Sequence, residues 1–273
     1  MHILRVIRLS FALLLSLLLP NAAEAQYGRR TLAEPATGED YHVEIAGGFW
    51  NPTPQVLISS ESLGIPGSDI DFVSDLGIEK KRFRELRLVL RPARKHKFRI
   101  NYIPISYTAQ SVLTRNIVFN GIQYRVGLPV TSALTWRAWR FGYEYDFIYR
   151  DRGFVGFIVE AKYTDVEARL NSLIGEEFAR ARAPIPALGG IGRAYVAPNI
   201  SVTGELTGFK LPNSIDENYA GRYLDFDLYG TVNFSDHVGV QLGYRSFDVM
   251  YRVDEDFGDF VLKGVYFTGV VRF

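Results

Sequence analysis

The chain has 273 residues, 47% of them apolar, 14% aromatic and 22% charged, which suits one large domain or two small ones. With 31 Lys and Arg against 30 Asp and Glu, it is not a globally basic nucleic-acid binder. The lack of cysteine excludes disulfide frameworks, thiolate metal sites, cysteine nucleophiles and a lipid-modified N-terminal Cys, and a mean hydropathy near zero excludes a polytopic helical membrane protein.

Residues 1–25 read as a secretory signal. Arg5 and Arg8 precede an apolar run over 11–20, and Ala23 and Ala25 form a small-x-small cleavage pattern before Gln26. That run is about half the roughly 20 residues a spanning helix needs. Residues 26–40 are polar and carry Pro and Gly, predicting a periplasmic tail, so 41–273 form the folded domain. No later apolar run reaches spanning length. An exported chain of this kind is either soluble or a closed β-barrel, because those two satisfy every backbone hydrogen bond.

Period-two alternation then predicts strands in chain order. Segment 41–51 alternates loosely. In 82–92, Leu86, Leu88 and Leu90 oppose Glu85, Arg87 and Arg91, and in 96–109, Phe98, Ile100 and Tyr102 oppose Arg99 and Asn101. The clearest pattern lies in 130–150, where Trp139, Phe141, Tyr143, Tyr145, Phe147 and Tyr149 alternate with Arg140, Gly142, Glu144 and Asp146. Segment 153–169 sets Val155, Phe157, Val159 and Tyr163 against Glu160 and Lys162. Segment 188–197 is weakly signalled and 199–210 loosely. In 220–234, Leu224, Phe226, Leu228 and Val232 oppose Asp225, Asp227 and Thr231. Segments 238–253 and 258–273 complete ten strands, with eight or twelve left open. Alternation over nine to eleven residues is the length of a tilted membrane strand.

Short polar turns at 91–97, 149–153, 196–201 and 234–239 alternate with longer stretches at 52–80, 108–130, 170–189, 211–219 and 254–258. Short turns on one rim and long loops on the other mark an outer-membrane barrel. Within the second stretch, Asn120-Gly121 is a type I′ hairpin signal. It is expected as the tip of strands three and four above the membrane, with a hairpin folded into the lumen as the alternative. Segment 172–184 is expected as a surface loop, or as a short amphipathic helix offering Arg180 and Arg182 to lipopolysaccharide phosphates. The 52–80 stretch is expected as a loop, long enough to fold over or into the barrel, whose Asp-rich part around Ile70–Asp75 is a weak cation candidate.

The chain ends with Val265, Phe267, Gly269, Val271 and Phe273 on alternate positions. This resembles the C-terminal signature of Gram-negative outer-membrane β-barrel proteins, which implies recognition by the barrel assembly machinery. Segments 68–107 and 141–148 look like parts of small uncharacterised outer-membrane barrels. That resemblance implies a fold and a location and brings no activity with it.

Once the apolar faces point to lipid, the inward residues are Glu44, Glu85, Arg87, Arg91, Arg99, Arg140, Glu144, Asp146, Glu160, Lys162, Glu205, Asp225, Asp227, Arg245 and Arg272. Buried charges persist when paired, so the expectation is a plugged, charge-paired lumen, with a narrow polar channel as the alternative. Asp225 and Asp227 are expected to meet arginines rather than a cation. His42, His96 and His237 all fall at the periplasmic end, away from the outer rim, where a barrel enzyme acting on lipid A or on peptides would work. Asp254 with Asp256 is the remaining acid pair, expected as a solvated turn. The reading is therefore all-β: an antiparallel up-and-down transmembrane β-barrel of about ten strands in the outer membrane. Its expected role is structural or surface-interacting, with no enzymatic activity, cofactor or metal. A narrow channel is the runner-up and a surface enzyme the third. Outer-membrane lipid, lipopolysaccharide and the assembly machinery are the expected partners, nucleic acid is not, and oligomeric state stays open.

Overall fold

The computed structural model describes residues 36–60, 65–211, 219–253 and 256–273. The leader expected over 1–25 and Asp254 of the acid pair lie outside them. Ten long strands form the wall: β1 (Val43–Ser59), β3 (Phe83–Ala93), β4 (His96–Val112), β7 (Pro129–Arg150), β8 (Gly153–Ser172), β9 (Gly175–Ala197), β10 (Ile200–Lys210), β11 (Tyr219–Asn233), β12 (Val238–Val253) and β13 (Asp256–Arg272). Each pairs antiparallel with the next. β13 closes on β1 from Glu44↔Arg272 to Ser59↔Phe257, so the sheet is a ten-stranded barrel. Three short strands stand apart from the wall: β2 (Ile70–Asp71), which pairs with the end of β1, and β5 (Ile117–Phe119) with β6 (Ile122–Tyr124), which form a separate hairpin.

Alternation places one set of side chains outside and the other inside. On β8, Val155, Phe157, Val159 and Tyr163 are exposed on the outer face, while Glu160 and Lys162 between them are buried. On β11, Leu224, Phe226, Leu228 and Val232 face out, and Asp225, Asp227 and Thr231 face in. The apolar outer band ends in an aromatic girdle, where Trp139 and Tyr163 pair in register and Tyr102 stacks on Trp139 at 4.3 Å. One step higher, the outer face is charged, with Arg137, Asp165 and Arg182 aligned across β7, β8 and β9. A continuous apolar belt bounded by aromatics and then charges matches the hydrocarbon core of a membrane and its headgroup layer.

Three sequence expectations fail above that belt. First, β1 runs on to Ser59 rather than ending near residue 51. Pro52 and Pro54 sit opposite Gly264 and Leu262 of β13, beyond Trp50↔Phe83, the last β1–β3 pair. Proline is tolerated there because that side of the strand has no β3 ladder to feed. Gly264 is needed in turn, since a Cβ on it would collide with the Asn51 carbonyl. Second, 172–184 is neither loop nor helix, because β9 begins at Gly175 and pairs with β8 from Ser172↔Gly175 onward. Alanines at 179, 181 and 183 occupy one face and Phe178, Arg180 and Arg182 the other, a period-two pattern muted by the small residues. Third, the Asn120-Gly121 hairpin is not the tip of the wall strands. Asn120 and Gly121 have φ of 48° and 80°, as a type I′ turn requires, but β5 and β6 fold inward. Ile117, Phe119 and Tyr124 are fully buried in the cluster that also holds inward-facing Leu134, Trp136 and Leu170.

Replacing Phe157 or Phe226 by Arg should cost on the order of 2–4 kcal/mol if the site lies at mid-membrane. Reversible urea unfolding in lipid vesicles measures this, and unchanged stability in both variants would contradict the outward belt.

Candidate functional site

The barrel interior has two layers. In the lower, periplasmic half it is lined by charge. Asp227 is gripped by Arg245 through Nε at 3.0 Å and Nη2 at 2.8 Å, and it accepts a hydrogen bond from the Tyr266 hydroxyl at 2.8 Å. Arg245 also reaches Glu85. Asp225 meets Arg140 and Lys162, each at 2.7 Å, and Lys162 is 3.0 Å from Glu160. The Asp225–Asp227 pair is thus occupied by cationic side chains. On the next wall segment, Lys97 bridges Glu144 at 2.7 Å and Asp146 at 2.9 Å, while Arg99 spans from Glu144 at 3.3 Å to Glu205 at 2.6 Å. Arg272 binds Glu44 at 2.7 Å, with Arg87 alongside at 3.7 Å. Aromatic faces fill the remaining sides, Phe247 under Arg140 at 4.2 Å and Tyr266 under Arg245 at 4.5 Å.

Three members of this layer escaped the sequence reading, each for a local reason. Lys97 falls at the end of a segment that reads as a turn. Arg193 lies in the weakly signalled strand. Glu39 falls in the segment that reads as an external tail. In the structure, residues 36–41 fill the periplasmic mouth instead. Thr37 N–H donates to the Pro198 carbonyl at 2.8 Å, Gly38 N–H to Asp236 at 2.8 Å, and Glu39 pairs with Arg193 at 2.7 Å. Burial pushes the Glu39 carboxyl up, but Arg193 and Lys97 outweigh it and hold the group below the ordinary carboxylate range. Among the described residues, the lower lumen then holds nine cationic side chains and nine anionic ones, with Glu39 the ninth anion.

Little space remains between these groups. The void enclosed by Arg87, Arg99, Arg140, Glu160, Glu205 and Arg245 measures about 10 Å³, and that between Glu44, Lys97, Glu144 and Arg193 about 20 Å³. Each is about the size of one water molecule.

In the upper half the inward face is apolar. Ile103, Ile105, Trp136, Phe247, Val249, Phe260 and Leu262 are buried against Ile70, Phe72, Leu76 and Ile78 of the β1–β3 connection and against the β5–β6 hairpin. The Asp-rich part of that connection is used structurally. Asp75 binds Arg115 at 2.6 Å, and Asp71 accepts from the Val73 N–H at 2.8 Å. Arg115 pulls the Asp75 carboxyl below its ordinary range. Among the described residues no group of three His, Asp or Glu is placed to hold a metal ion. The three described histidines sit at the periplasmic end, with Nδ1 of His42 on the Arg91 carbonyl, of His96 on the Tyr143 hydroxyl and of His237 on the Arg272 carbonyl. Asp256 lies at the opposite rim, at the start of β13. At the chain's end, Val265, Phe267 and Val271 face outward, and the Phe273 carbonyl accepts from the His42 and Val43 N–H groups, sealing the seam with β1.

No protein-family model and no curated protein matches the chain. Solved structures do. The outer membrane protease OmpT of Escherichia coli superposes with a TM-score of 0.55 over 87% of this chain and 98% of that one, at 7% identity. The fold is that of an outer-membrane β-barrel. The Pseudomonas putida toluene transporter TodX (TM-score 0.35, 9% identity, 89% of this chain and 93% of that one) and a Pseudomonas aeruginosa FadL homologue (0.38, 7%, 83% and 66%) also align. The first likeness is one of fold, and the other two are too loose to extend it. The interior of this outer-membrane barrel is charged below and apolar above.

Breaking that interior should be expensive. Arg245→Met strands both Glu85 and Asp227, and the loss expected is roughly 3–5 kcal/mol of unfolding free energy. Arg222→Ala, at the exposed rim pair with Asp248, should hardly move the same urea transition. Equal effects from the two substitutions would refute the network's structural weight.

Proposed function

We propose that this protein is a non-conducting, non-enzymatic outer-membrane barrel, with a structural role in the envelope and surfaces that meet lipid and lipopolysaccharide. The observation that carries this reading is the filled lower lumen. Nine inward cations meet nine anions, and the voids among them are about the size of one water molecule. Hydrated ions need a continuous aqueous path, which porins obtain with sixteen or more strands rather than ten. Both mouths add to the closure, residues 36–41 below and the β5–β6 hairpin above. The charged outer face above the aromatic girdle, with Arg137, Arg180 and Arg182 around Asp165, suits contact with the anionic headgroup layer.

Conductance of the refolded protein in a planar bilayer is the test, with heat-modifiable gel mobility confirming folding. The expected result is electrical silence from folded barrels. Reproducible unitary steps, altered by Arg140→Ala, would establish the narrow channel instead.

A further inference from the structure

One feature of the upper half is not needed for closure. Against the wall at β9, among residues of β7, β8, β10, β11 and β12, lies a cavity of about 560 Å³, within the roughly 300–1,000 Å³ range of small-molecule sites. Its deep side is apolar, with Trp136, Val166, Phe209, Tyr223, Val249 and Phe260.

The cavity opens through the wall. β10 is short, and its pairing with β9 stops at Gly208↔Leu188, whereas β9 extends upward to Gly175. Among the described residues, the β9 segment above Leu188 has a partner on the β8 side alone. The cavity touches every residue from Ala179 to Pro186, inward and outward side chains alike. A space does this when it wraps around a bare strand edge. Pro184 and Pro186 lie on that edge at alternate positions, opposite Tyr163 and Ala161 of β8. They lack N–H groups, so the edge is a poor template for an added strand. Tyr163 marks the top of the outer apolar belt, which puts the window where hydrocarbon gives way to headgroups.

The rim of the window is cationic. Arg180 and Arg182 line it, and with Arg137 of β7 they surround Asp165 on the outer face, Arg180 also standing 3.6 Å from Glu167. Arg180 takes both oxygens, at 2.8 and 2.7 Å, while Arg182 stands at 3.3 Å and Arg137 at 3.7 Å. The side chains of Arg182 and Arg137 are 52% and 58% exposed, so both keep donors free for a second anion.

We infer that this cavity binds one single-chain anionic amphiphile, a long-chain carboxylate, with its hydrocarbon threaded past the β9 edge and its head on Arg182. The volume suits one chain and excludes a lipid with several. The apolar lining suits the chain, and the exposed guanidinium of Arg182 suits the head. The inference goes beyond the closed-barrel reading and does not depend on it, because conductance tests the lower lumen while binding tests the upper cavity.

The experiment uses the full barrel in lipid nanodiscs, free of detergent, with a chain-brominated long-chain fatty acid as the probe. Trp139→Phe serves as background, because Trp139 faces lipid and would report mere partitioning. Bromine in the cavity quenches Trp136. Saturable quenching near one probe per barrel is expected. Ala181→Phe, which fills the cavity from a position paired with Val166 of β8, should weaken binding at least tenfold while gel mobility stays that of a folded barrel. Arg182→Ala should weaken it several-fold, as should replacing the acid by the brominated alcohol of equal length. Quenching that rises without saturating, or that Ala181→Phe leaves unchanged, would overturn the site. Equal affinity for acid and alcohol would overturn the assignment of an anionic head.

Discussion

A charge buried inside a barrel only ten strands around has almost no water to turn to, so it must find its partner among the other inward side chains, on a neighbouring strand or across the lumen. That constraint governs the lower half of this molecule. The pairs link strands far apart in sequence: Arg272 with Glu44, Arg245 with Glu85, Arg99 with Glu205, and Arg140 with Asp225. The first joins the neighbouring strands β13 and β1 at the seam, and the other three cross the lumen and fix the distance between two walls. The wall strands provide nine cations but only eight anions there, and Glu39 brings the ninth from outside the wall. The segment over residues 36–41 is therefore electrostatically part of the barrel. Such networks are weak evidence for extra stability, since desolvation offsets most of the attraction. Their value lies in specificity: a strand slipped by one residue would put these charges into lipid.

Above the belt the constraint changes, and so does the chemistry. Strands β7, β8 and β9 run 20 to 23 residues, well beyond what a membrane requires. The tall wall encloses an apolar chamber, which the chain fills with its own β5–β6 hairpin and the connection after β1. The wall is uneven because β3 and β10 are short, and each leaves its neighbour with a bare edge. At β1 the plug covers that edge, with the Phe72 N–H donating to the Val56 carbonyl at 2.9 Å. At β9 the described residues leave it open, and the apolar chamber reaches the outside there. Prolines occupy alternate positions at both edges, where no ladder needs their missing N–H.

The wall was legible in the sequence because a narrow barrel in lipid imposes period two on every strand that crosses it. Alternation around Trp139–Phe147 and Val155–Tyr163 reflects that demand directly, whereas the bulge after Tyr145 turns Tyr149 inward onto Phe154, against its expected place on the lipid face. Legibility ended where the demand relaxes. Segment 175–183 stands above the lipid, so Ala179, Ala181 and Ala183 suffice on its inner face and the contrast fades. Pro52 and Pro54 signal a loop to any local reading, and only the absent β3 partner explains their place in a strand. The hairpin's inward turn depends on what lies beneath it, which no local pattern encodes. One signal did exist: Ile70, Phe72, Leu76, Ile78, Ile117 and Phe119 are too apolar for solvated loops, and the apolar inner positions of β7 and β12 were their counterpart.

Closure of the lumen to water by paired charges is the proposal on which the functional reading rests, and a chain without cysteine allows a direct test of it. Single cysteines would be placed at Thr231, buried and inward in β11, and at Ser235, exposed in the following turn, then challenged with a membrane-impermeant thiol reagent in proteoliposomes. A closed lumen gives rapid labelling at 235 and labelling at 231 only after unfolding in urea. Prompt labelling at 231 in the folded barrel would mean that water runs through the lumen, contradicting the closed interior.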